Sequence, residues 1–163
     1  MTAAPRRGMS ARDVFQALSY LQYPLLLIAL GYGVLGAIGL GSGRGVLHSL
    51  DAWNYGLLYA GIAIGLSSMQ DPRRTQNALS RRVWQHPGKG RWMLALLAVY
   101  AFYAFGAMGG GLAGAYFSAS TPMHQLSLGL LALGLGLLGL LKTAMEMREH
   151  HRLDRNPQPG VAS

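Results

Sequence analysis

WMLALLAVYAFYAFGAMGGGLAGAYFSASTPMHQLSLGLLALGLGLLGLL, residues Trp92 to Leu141, decides the fold. These 50 residues contain no Asp, Glu, Lys or Arg, and a single polar dip from Ser118 to Gln125 divides them. A helix needs roughly 20 apolar residues to cross the hydrocarbon core of a bilayer, which is about 30 Å thick. The stretch therefore reads as two membrane spans joined by a tight turn. A water-soluble domain has little use for an uncharged run of this length.

The rest of the composition agrees. Hydrophobic residues make up 51% of the chain and charged residues 12%, the latter about half the usual share of a soluble domain. The 23 glycines show no collagen period and mostly sit inside apolar runs, where membrane helices tolerate them. The absence of Cys excludes disulfides, thiol catalysis and thiolate metal sites. With 163 residues, four spans and short connections fill the chain and leave no room for a separate soluble catalytic domain.

Working outward from the quoted stretch, span three covers 92–117 and span four 124–145. Span four is expected to continue into water, because Lys142 and Glu146 are four apart and Glu149 and Arg152 three apart. On the other side, Val14 to Gly43 is a second uncharged window and holds span one, 23–40, read as an uncleaved anchor. Ser10 and Asp13 have capping-box spacing ahead of a short amphipathic helix over 11–22. Pro24 suits the first turn of the helix that follows. Gly41 to Gly45 forms a short loop, Ser49 or Asp51 is expected to cap the next helix, and span two runs over 52–69. Trp53, Tyr55 and Tyr59 open it with rings suited to the headgroup boundary. Residues 71–91 form a basic loop with a short helix over Thr75 to Gln85, and His86 to Gly90 reads as a turn. The expected fold is all-α: a polytopic membrane protein of four transmembrane helices arranged as two hairpins. One transmembrane domain occupies 1–156, and 157–163 form a disordered tail.

Orientation follows from charge. Of the 14 Lys and Arg residues, 13 precede span one, fill the 71–91 loop or follow span four, leaving Arg44 alone. The positive-inside rule then places both termini and the loop in the cytoplasm, with the protein integral to the plasma (inner) membrane. Arg73, Arg74, Arg81, Arg82, Lys89 and Arg91 are candidates for binding anionic lipid headgroups or a docking partner. Nucleic acid is not an expected partner, because this charge sits against the membrane.

Small residues recur every fourth position: Ala29, Gly33, Ala37 and Gly41 on span one, Gly61 and Gly65 on span two, Gly106, Gly110 and Gly114 on span three. Such stripes let helix backbones approach closely, so dispersion and weak Cα–H···O contacts replace the missing hydrophobic drive. Gly33, Ala37, Gly61, Gly65, Gly106, Gly110 and Gly114 are the candidate packing or interface residues, and the span-three stripe is the best placed to face another subunit. Gly36-Ala-Ile-Gly39 resembles Gly106-Ala-Met-Gly109, and Gly56 and Gly61 match Gly129 and Gly134. Duplicated hairpins and chance both account for the echo.

Candidates for chemistry are few. No Ser/His/Asp set, Cys/His set or HExxH motif occurs, so no enzyme is expected. Proton-coupled transport needs an intramembrane carboxylate near the midplane, and none is available. His48, Asp51 and His124 fall at the outer end and are the candidates for a metal ion, though their spacing does not require one. No cofactor is expected. Tyr100, Phe102, Tyr103 and Phe105 read as core packing or as a groove for a lipid tail, pigment or quinone. The favoured function is a non-catalytic accessory or scaffold subunit that assembles with itself or a membrane partner through glycine-lined faces. The alternative is a small homo-oligomeric channel or transporter.

Overall fold

A computed structural model describes residues 11–43, 45–69, 86–117 and 122–155. Among them the chain is all-helical. α1 spans Ala11–Ser19, α2 Gln22–Gly41, α3 Val46–Ser67, α4 Pro87–Phe117 and α5 Ser127–Arg155, with a 3-10 turn at Pro122–Leu126. Three stretches are long and apolar enough to cross a membrane: Asp13–Gly41, Gly88–Gly114 and His124–Glu149. The fourth long helix, α3, has 22 residues, about 33 Å at 1.5 Å per residue. It has the length but falls short in apolarity because His48, Asp51, Asn54 and three aromatic residues with polar atoms lie within it.

The distribution of side chains is inverted relative to a water-soluble protein. Apart from Leu50, the buried side chains among the described residues are small or polar: Ala63, Ala101, Ala104, Ala144, Ser19, Ser49, Ser127, Thr143 and Gln22. The surface carries the large apolar ones, with Leu27 70%, Leu30 66%, Trp92 79% and Phe102 81% exposed. In water such a surface would drive association. In hydrocarbon it costs nothing, and small residues at the seams are what close helix packing requires.

In space the long helices stand in the order α2, α3, α5, α4. α2 packs on α3, α3 on α5, and α5 on α4, while the 3-10 turn touches α3, α4 and α5. Positions on α2 rise as their partners on α3 fall, so this pair is antiparallel: Gly39 lies by Ser49, Gly36 by Trp53, and Ala29 by Gly56. α3 and α5 instead run parallel, with Asn54 by Gly129, Gly61 by Gly136 and Ser68 by Thr143. α2 and α4 thus form the two edges of the row.

Two helix starts differ from the sequence expectation. α3 begins at Val46 rather than near Ala52. Gly43 and Gly45 adopt φ of 71° and 96° and reverse the chain within four residues, so the helix starts at once. Ser49 and Asp51 therefore lie inside α3 instead of capping it, and the Ser49 hydroxyl donates back to the Gly45 carbonyl at 3.4 Å. α4 begins at Pro87, so His86 to Gly90 is not a free turn. Proline is preorganised for the first helical position and has no N–H to leave unsatisfied there, and the Gly90 amide already donates to the His86 carbonyl at 3.0 Å. α2 follows the expectation: the chain turns at Tyr20 and Leu21, and Pro24 sits in its first turn. α1 carries Val14, Phe15 and Leu18 on one exposed apolar side and Asp13 and Gln16 on the other.

Candidate functional site

The seams show what the small residues do. At the centre of the α3/α5 pair, a side chain at Gly61 would run into the backbone of Ala132 and Leu133, and one at Gly136 into the Gly61 carbonyl. Backbone meets backbone there. Polar groups fasten the seam on either side. The Gly129 amide donates to Asn54 Oδ1 at 2.7 Å. The Thr143 hydroxyl lies 3.1 Å from the Ser68 carbonyl and 3.2 Å from the Gly139 carbonyl, sharing one proton between them. Interhelical hydrogen bonds of this kind average about 0.6 kcal/mol in membrane proteins. Their value here is register as much as energy, since Asn54 and Ser68 are 14 positions apart on α3.

The α2/α3 seam is built around Trp53. Its Nε1 donates to the Gly33 carbonyl at 3.2 Å, and its ring fills the space that a side chain at Gly36 would need. Gly39 makes room for Ser49, and Gly56 stands against the Ala29 carbonyl. Beside this seam Tyr32 stacks on Tyr59 at 5.7 Å and tilts against Tyr55 at 5.5 Å. Between α4 and α5, Phe105 lies over Gly134.

The candidate interface residues fall into different settings. Gly61 and Gly65 lie in the α3/α5 seam. Gly33 contributes its carbonyl to Trp53, and Ala37 is exposed. Gly106 and Gly110 are exposed with nothing within 4 Å of where a side chain would begin, as is the adjacent Gly109, and Gly114 is half-buried. The seams are closed chiefly by glycines outside that set: Gly36, Gly39, Gly56, Gly129, Gly134, Gly136 and Gly139. The echoed glycines do not share environments either. Gly56 faces α2 whereas Gly129 faces α3, and Gly36 and Gly39 are packed while Gly106 and Gly109 are open. Duplication of a hairpin gains no support from this.

Other candidates divide similarly. Tyr100, Phe102 and Tyr103 are exposed, and only Phe105 of that group turns inward. Among the described residues no three His, Cys, Asp or Glu side chains stand close enough to hold a metal ion, so His48, Asp51 and His124 are not gathered into such a set. Lys142 and Glu146 form the expected pair at 3.6 Å. Both are exposed, where an ion pair is worth at most about 1 kcal/mol. Lys89 and Arg91 are exposed at the start of α4, whereas Arg73, Arg74, Arg81 and Arg82 lie outside the described residues, as do Ser10 and Thr75 to Gln85. Asn54 is the residue that sequence reasoning passed over. Its signal was an amide within an otherwise apolar run, a group that hydrocarbon forces to find a partner.

No protein-family model matches the chain, and neither a curated protein nor a solved structure is similar to it.

Proposed function

We propose that this chain is a non-catalytic accessory or scaffold subunit of the plasma (inner) membrane. It crosses four times as two hairpins, with both termini cytoplasmic, and assembles with a second copy or another membrane protein through the outer face of α4. Crossing by α3 is supported by its neighbours: it packs along α2 on one side and α5 on the other, over a length that matches theirs. Orientation rests on the bias of Lys and Arg to one set of ends.

One observation carries the assembly reading. Glycines packed in the inner seams are filled by a neighbouring helix, whereas Gly106, Gly109 and Gly110 on α4 meet nothing, as do Gly31, Gly33 and Gly41 on α2; on α4 the three lie within five positions on one face, and Ala113 continues the exposed strip. A glycine within a helix costs about 1 kcal/mol relative to alanine. Three of them on a face without a neighbour make sense if a second helix closes there.

Substituting Gly106, Gly110 and Gly114 with leucine tests this. The intact complex, extracted gently from native membranes, is expected to exceed the mass of one chain, and the triple variant to fall to a single chain while still inserting. A wild-type chain that is monomeric and brings no partner would remove the basis for the proposal.

A further inference from the structure

The outer face of α4 has two halves of different chemistry. Beyond Val99 lies the glycine strip. Before it, Lys89, Trp92, Met93, Ala95, Leu96 and Val99 line a groove of about 490 Å³ with almost wholly apolar walls. α5 covers the opposite side of α4, where Ala101 and Ala104 are buried. Lys89 lines the groove and is exposed, while Arg91, two positions on, is exposed on another side of α4. Neither has a carboxylate partner among the described residues.

The dimensions limit what fits. From Lys89 to Val99 the helix rises by ten steps, about 15 Å, half of a hydrocarbon core about 30 Å thick. The groove therefore runs from headgroup depth to the bilayer midplane, the reach of one acyl chain. Trp92, 79% exposed near the cationic end, stands where indoles favour the interface. A neutral quinone head would leave Lys89 without a counter-charge. A second copy related by an axis along the membrane normal would bring like charges together at Lys89. A phosphate supplies the counter-charge.

We propose that this groove holds one acyl chain of an anionic phospholipid from the cytoplasmic leaflet, with its phosphate on Lys89. The site rests on the reading of α4 as a membrane span whose start is cytoplasmic. It is compatible with assembly through Gly106 and Gly110, because helices that cross on small residues diverge away from the crossing point.

The test uses the full chain in nanodiscs of equimolar phosphatidylcholine and phosphatidylglycerol, released for native mass spectrometry. One phosphatidylglycerol is expected to remain on each chain, in preference to phosphatidylcholine. Lys89→Gln is expected to weaken its retention about fivefold, the worth of one cation near an anionic surface. Val99→Trp, which places an indole in the groove, is expected to abolish retention with Lys89 intact. Both substitutions lie on an exposed face, and unchanged helicity would verify that the fold survives. Equal retention of the two lipids, indifference to Val99→Trp, or a second chain in the lipid's place would overturn the site. Alkaline extraction separates this from the underlying reading: a chain released from the membrane is no span at all, whereas one that stays but shows no lipid preference contradicts the site alone.

Discussion

Gly61→Leu is expected to lower the stability of the folded chain by about 3 kcal/mol or more, at or beyond the upper end of ordinary overpacking costs. The reason is what the new side chain would strike. At most core positions a neighbouring side chain can change rotamer, but Gly61 faces the backbone of Ala132 and Leu133. Backbone has no such freedom, so α3 and α5 must separate. Separation also strains the Asn54 and Thr143 hydrogen bonds that fasten the same seam. Titration of the detergent-solubilised protein with a denaturing detergent, followed by circular dichroism, measures the effect. Gly31→Leu is the matched control, and at an open position outside the proposed assembly face it is expected to show no comparable loss. Equal losses at the two sites would mean that the α3/α5 seam is not where the helices meet.

Trp53→Ala is expected to cost about 2–4 kcal/mol, in the range for truncating large core side chains. Two losses combine. The indole leaves a void beside Gly36, and the Gly33 carbonyl loses its donor. The void supplies an internal check. Gly36→Leu alone should destabilise the chain by displacing the indole, yet combined with Trp53→Ala it should recover part of the loss, because the leucine occupies the vacated space. Contacting residues show such non-additivity and distant ones do not. The same denaturant titration on the four proteins reads the coupling directly, and simple additivity would separate Trp53 from Gly36.

These two residues also show how far the order of amino acids can be read. The three stretches long and apolar enough to cross a membrane were legible because that property depends on local quantities, namely apolar run length and absence of charge. The helices were legible for the same reason, apart from their starts. The start of α3 depends on positive φ at Gly43 and Gly45, which makes a four-residue reversal feasible; reading Ser49 as a cap assumed a longer loop. The seams were only half legible. A stripe of small residues four apart announces that some helix can come close, but not which one. Along α2 the stripe of Gly33 and Ala37 competes with the pair Gly36 and Gly39, and the choice is made by Trp53 and Ser49 on α3. That information lies across the interface, in how two helices are rotated relative to each other. Gly106 and Gly110 show the complementary case, a stripe that no helix of its own chain fills. Asn54 was legible in principle, since an amide in an apolar helix implies a partner, but nothing nearby names Gly129 as that partner. The α4 groove could not be read at all, because its concavity is a property of side-chain packing around Lys89 to Val99 and not of their spacing.

Because the chain has no cysteine, its crossing pattern can be measured without background. Single cysteines at Ser42, Asn77 and Ala119, probed with a membrane-impermeant maleimide before and after permeabilisation, bracket α3 at one end and the middle loop at the other. Four crossings with cytoplasmic termini require Ser42 and Ala119 to react in intact cells and Asn77 to react only once the membrane is opened. Reaction of Ser42 and Asn77 from the same side would show that α3 turns back without crossing, and the four-span, two-hairpin architecture would be wrong.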